Sequence, residues 1–148
     1  MSLENTINEA IKTAMRAKDK VALDSLRAVK SQILLLKTEA RGAEVSAEQE
    51  IAILQRMVKQ RKDSAEQFTA QGRNDLAEVE EAQMQVIEQF LPKQLSAEEL
   101  EAEMKNIIAE TGAESMKDLG KVMGIASKSL AGKSDGKSIS EMAKKLLS

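Results

Sequence analysis

The sequence predicts an all-α protein: an N-terminal domain of long helices, residues 1–92, followed by a small C-terminal helical domain, residues 93–148. Three observations carry this. Apolar residues recur every three or four positions almost throughout. Serine or aspartate stands repeatedly just ahead of an apolar run, where it can cap a helix. The single proline, Pro92, separates two stretches of different texture, because glycines cluster after it at 112, 120, 124, 132 and 136.

The elements follow in order. Residues 3–17 place Leu3, Ile7, Ile11, Ala14 and Met15 on one helical stripe. Asp19 caps a second helix carrying Leu23, Leu26, Val29, Ile33 and Leu36, which Gly42 ends. A strand at Gln32–Leu36 is too short to displace it. Ser46 and Gln49 form a capping box for a third helix through Ile51, Leu54, Met57, Val58, Ala65 and Phe68, stopping at Gly72. A fourth begins near Asn74, uses Leu76, Val79, Ile87 and Phe90, and is ended by Pro92, since proline disfavours helical geometry at the preceding residue. The four helices form either a bundle or two hairpins, and periodicity does not choose between them. Lys93–Leu95 reads as a short hinge. Beyond it, Ser96 with Glu99, and Ser115 with Asp118, read as capping boxes ahead of two short helices, and Ser138 with Glu141 opens the last one.

Composition narrows the chemistry. With hydrophobic residues at 42% and charged residues at 31%, the chain has the make-up of a folded protein. It has no His, Cys, Trp or Tyr, and its aromatics are Phe68 and Phe90. Imidazole-based catalysis, ordinary zinc sites, haem ligation and iron–sulfur clusters are therefore excluded, and no disulfide can form. A base-stacking platform is excluded for want of aromatics. No cofactor and no metal are expected. No apolar run approaches the ~20 residues of a membrane span, and Glu4 and Glu9 argue against a mitochondrial transit peptide. The expected setting is cytoplasmic, away from membranes.

Charge is unevenly distributed beneath a net value of −2. Residues 93–114 hold two lysines and six glutamates, whereas residues 115–148 hold seven lysines against Asp118, Asp135 and Glu141. A locally basic unit on a nearly neutral chain suggests an anionic partner, although surface lysines also simply solubilise short helices. Within that unit, Gly132-Lys133-Ser134-Asp135-Gly136-Lys137-Ser138 contains GKS but lacks the earlier glycine and the preceding strand of a phosphate-binding P-loop. A glycine-flanked turn at a helix start can still offer N–H groups and two lysines to one phosphate; it reads equally as a plain turn.

Two further clusters have plainer readings. Along Lys59-Gln60-Arg61-Lys62-Asp63-Ser64, Lys59–Asp63 and Lys62–Glu66 are spaced to pair on a solvated helix face. Glu78, Glu80, Glu81 and Glu88 are dense enough to suggest acid–base or magnesium chemistry but fit a water-facing helix better. The eight methionines read as core filling. No catalytic residue emerges.

Taken in order, Leu26-Arg27 with Lys30, the 59–64 cluster, Gly72-Arg73-Asn74-Asp75-Leu76, Glu80-Glu81 before Phe90-Leu91-Pro92, Met116-Lys117-Asp118-Leu119-Gly120-Lys121-Val122-Met123-Gly124 and Gly132–Lys137 resemble the GatB/YqeY family along the whole chain, in its stand-alone YqeY-type form. The resemblance implies a C-terminal domain similar to the tail of the tRNA-dependent amidotransferase B subunit, a tail that helps engage tRNA while chemistry occurs elsewhere. It implies RNA-facing positions at Lys121, Lys128, Lys133, Gly136 and Lys137, and partners among tRNA, aminoacyl-tRNA synthetases or amidotransferase subunits. Two positions depart from the family pattern: Lys133, where Arg is frequent, and Leu119, where Met is frequent. The function expected is a non-catalytic tRNA-binding or tRNA-handling accessory module in translation. The alternatives are a component of a carbon–nitrogen ligase with glutamine as amido donor, and a helical protein-interaction adaptor.

Overall fold

The computed structural model describes residues 2–148. It is all-α: seven α-helices and one 3-10 turn, with no strand among the described residues. The helices fall into two compact units that divide between Leu91 and Pro92.

The first unit consists of two helical hairpins. Helix α1 (Leu3–Ala17) turns into α2 (Lys20–Glu39) through Lys18, which takes the left-handed conformation at φ 54°, and Asp19, whose carboxylate accepts the Ala22 N–H at 3.1 Å. Lys37 pairs with Glu4, joining the end of α2 to the start of α1. Helix α3 (Ala47–Ala70) opens on the Ser46–Gln49 capping box and closes beyond Gln71 with Gly72 at φ 75°, where a residue with a Cβ would be strained. Helix α4 (Asn74–Glu88) then folds back along α3. The hairpins join mainly where α2 meets α4, burying Leu26, Val29, Ile33, Leu54, Met57 and Ile87.

Helix α4 stops at Glu88, before the proline could act. The N–H groups of Phe90 and Leu91 bond back to Ile87 and Glu88, each at 3.1 Å, in a tight turn. That turn lets Phe90 and Leu91 pack on the core, so Phe90 belongs to the exit from α4 and not to its stripe.

The second unit is a three-helix arrangement of α5 (Ala97–Thr111), α6 (Leu119–Ser129) and α7 (Gly136–Leu147), with a 3-10 turn at Met116–Asp118. Its core contains no aromatic residue. Met104, Val122, Ala126 and Ala143 are completely buried, with Leu100, Ile107, Leu130, Ile139 and Leu147 around them. Residues 94–95 are fastened to the turn before α7: the Leu95 N–H donates to the Lys133 carbonyl at 2.9 Å, and Gln94 Nε2 donates to the Gly132 carbonyl at 2.6 Å.

Two of the three expected start signals change here. The Ser96–Glu99 box is present on α5. Ser115 and Asp118 make no such box, because the intervening turn is 3-10: Ser115 Oγ accepts from the Lys117 N–H at 3.4 Å, and the Asp118 carboxylate accepts from the Glu114 N–H at 3.0 Å. Helix α7 is capped by Asp135, whose carboxylate accepts the Ser138 N–H at 2.6 Å. Ser138 lies inside the first turn. A carboxylate complements the positive helix end better than a hydroxyl.

The Ser96 backbone N–H, with its hydroxyl and the charge of Lys93, holds Glu99 below its ordinary value of 4.5. A depressed carboxylate stabilises the fold above its ordinary value, and that contribution disappears as the pH falls through the lowered one. Amide-exchange protection factors at the start of α5, measured between about pH 3 and 7 and corrected for the intrinsic pH dependence of exchange, should fall as acid is added. In Glu99→Gln, which cannot titrate, the added slope should vanish. Met104→Ala should cost about 2–5 kcal/mol and unfold the second unit at lower denaturant than the first, seen as a biphasic circular-dichroism transition.

Candidate functional site

The RNA-facing lysines expected from the resemblance all lie in the second unit, on α6, in the turn before α7 and in the first turn of α7. Burial of Val122, Ala126 and Leu130 turns the opposite face of α6 outward. Lys121 and Lys128, seven residues apart on that face, are both exposed. Lys128 lies in the last turn of α6, where a cation complements the negative helix end. Lys121 has a structural partner that spacing does not disclose: its Nζ donates to the Thr111 carbonyl at the end of α5, at 3.3 Å.

The turn leading into α7 is ordered by its own backbone. The Lys133 and Ser134 N–H groups donate to the Leu130 carbonyl at 2.9 and 3.3 Å, and Gly132 adopts φ 79°. Those two N–H groups are therefore directed into the turn. Lys133, Gly136 and Lys137 are exposed, with Gly136 and Lys137 opening α7. The Asp135 carboxylate stands at the helix start, where an arriving phosphate would seek N–H groups, and repels an anion there. The arrangement offers the side-chain charges of Lys133 and Lys137 more readily than a backbone cradle. Nothing in the sequence separates Asp135 from Ser138 as the cap, because both are good capping residues three positions apart.

The second unit is also electrically segregated. Helix α5 carries five glutamates against Lys105, α6 carries Lys121 and Lys128 and no acid, and α7 carries three lysines against Glu141.

In the first unit, Lys59 pairs with Asp63 at 3.0 Å, as its spacing allows. Lys62 and Glu66 both line a groove between α3 and α4, but no ion pair joins them. Arg61 is half-buried: its Nη1 donates to the Met57 carbonyl at 3.3 Å, while its Nε is buried without an acceptor. Among the described residues no three acidic side chains converge as metal ligands, and no helix is long and apolar enough to cross a membrane.

Residues 4–147 match the family model described as Yqey-like protein, and the chain belongs to that family. Curated relatives include the protein named altered inheritance of mitochondria protein 41, mitochondrial, in two yeasts. The one from Lachancea thermotolerans is 29% identical over 106 residues, covering 70% of this chain and 57% of the relative. The one from Meyerozyma guilliermondii is 37% identical over 92 residues, covering 59% and 45%. An uncharacterized protein of Schizosaccharomyces pombe is 30% identical over 95 residues, covering 64% and 76%. The chain thus spans about half the length of the two mitochondrial relatives.

The cap assignment has a direct check. Asp135→Ala should lower the second unit's stability by about 0.5–2 kcal/mol, whereas Ser138→Ala should change it by less than about 0.5 kcal/mol. Urea unfolding of the full chain, followed by amide exchange in α7, reads both.

Proposed function

We propose that this chain is a non-catalytic accessory module that binds tRNA through the basic side of its second unit, in the cytoplasm, as part of translation. The observation that carries the reading is the segregation of charge: acidic α5 against the lysine-bearing α6, turn and α7. Membership of the Yqey-like family supports it, as does the resemblance of residues 93–148 to a tail that engages tRNA. Lys133 and Lys137, exposed around the start of α7, make the direct phosphate contacts. Lys121 and Lys128 add long-range attraction. No aromatic residue lies in this unit, so recognition follows backbone and shape rather than base identity.

Counter-ion release makes such binding steeply salt-dependent. With about three phosphates neutralised, log K should fall against log salt with a slope of roughly −2 to −3. Fluorescence anisotropy with end-labelled tRNA measures it. Lys133→Glu combined with Lys137→Glu should weaken binding to all tRNAs alike and flatten the slope, while Lys12→Glu with Lys18→Glu should do little. Absence of wild-type binding at low salt, or equal binding by the first double variant, would overturn the reading. Purified protein should release no ammonia from glutamine and hydrolyse no ATP; either activity tracking the protein through two different columns would favour the carbon–nitrogen ligase component instead.

A further inference from the structure

We propose that the outer part of the α3–α4 hairpin, residues 59–85, is an interface for a second copy of this chain. The core of the first unit takes Ile53, Leu54, Met57 and Val58 from α3 and Val86 and Ile87 from α4. No residue between 59 and 85 belongs to it. That stretch is a two-helix arm running on past the core, with α3 packed on α4. The arm has two sides. On one, Lys62, Glu66, Glu81 and Gln85 rim the groove already described. Helical spacing puts Ser64, Phe68, Leu76, Val79 and Gln83 on the other, which continues the core-facing surface of Ile53, Met57 and Ile87. Phe68 and Leu76 are half-buried there and Val79 is 46% exposed, so this apolar face is left partly open to water.

Two charges on the seam of the arm define what closes it. Arg61 stands on the same row of α3 as the buried Leu54, Met57 and Ala65, and Glu80 stands on α4 between the buried Ala77 and Ile87; both are half-buried. Of the five N–H groups of a guanidinium, one finds an acceptor here, the Met57 carbonyl, and Nε is buried with none. Among the described residues no hydrogen bond or ion pair reaches Glu80. A half-buried charge without a partner is costly, and the arm carries one of each sign on facing helices. A two-fold pairing of arms lays α3 of one copy on α4 of the other. Arg61 of each copy then meets the partner's Glu80, and Phe68, Leu76 and Val79 are covered in a four-helix bundle. A second copy thus supplies a carboxylate, a guanidinium and an apolar surface from one face, whereas a nucleic-acid strand would be repelled by Glu80. From residue 59 to the end of α3 the arm is about 18 Å long. Two helices of that length offer less than the ~800 Å² per partner of a standard interface, so the association is weak and concentration-dependent.

Sedimentation velocity of the full chain, from about 2 to about 200 μM, should show the mass rising from one chain toward two. Val79→Glu, at an exposed site where folding is not at stake, should weaken self-association at least about tenfold with unchanged circular dichroism. Arg61→Glu alone and Glu80→Arg alone should each do the same, because like charges then face each other across the two-fold. An equimolar mixture of these two variants should regain the two-chain species, since each brings the charge that the other lacks. A role for Arg61 and Glu80 within one chain cannot produce that rescue. The proposal is overturned if the wild type stays a single chain throughout, if Val79→Glu associates as tightly as wild type, or if the mixture associates no better than either variant alone.

Discussion

The inner stripe of α6, Val122–Ala126–Leu130, decides what the second unit shows to its surroundings. Val122 and Ala126 are fully buried, and Ala126 shares the core with the equally buried Ala143 of α7. These small side chains allow close packing in a core with no aromatic residue to fill it. Once that stripe is committed inward, Gly120, Lys121, Gly124, Ile125 and Lys128 have no place but the outside. The same burial that stabilises a small unit therefore sets the orientation of its cations.

The turn between α6 and α7 completes the arrangement. Gly132 supplies the left-handed step, Leu130 accepts two N–H groups, and Gln94 and Leu95 bond across to the turn. Lys133 and Lys137 are thus held on a fixed support, which favours specific placement of charge over a flexible basic tail. Asp135 restricts what that support can do. By capping α7 with a negative charge it stabilises the helix and repels an anion from the helix start.

Much of the fold was legible because helix signals here are local. The Ser46–Gln49 and Ser96–Glu99 boxes and the Asp19 cap each depend on residues within one turn, and each forms. What escaped the sequence depends on competition or on distance. Asp135 and Ser138 are competing caps of similar propensity, and Asp135 is the one that caps. The 3-10 pitch at Met116–Asp118 redirects two side chains that α-helical spacing would have paired. The bond from Lys121 to Thr111 joins two helices, so no periodicity reveals it. Pro92 suggested a longer α4 than exists because the preference of Phe90 and Leu91 for the core is a tertiary effect. At the candidate site the charged residues could be read directly, but their engagement could not.

The measurement that tests the account most directly is a two-dimensional ¹H–¹⁵N NMR titration of the full chain with tRNA at low salt. The account predicts chemical-shift changes concentrated on Lys133–Lys137 and the first turn of α7, weaker effects along the lysines of α6, and an undisturbed first unit. Changes concentrated on α1–α4, or none under conditions that leave the protein folded, would contradict it.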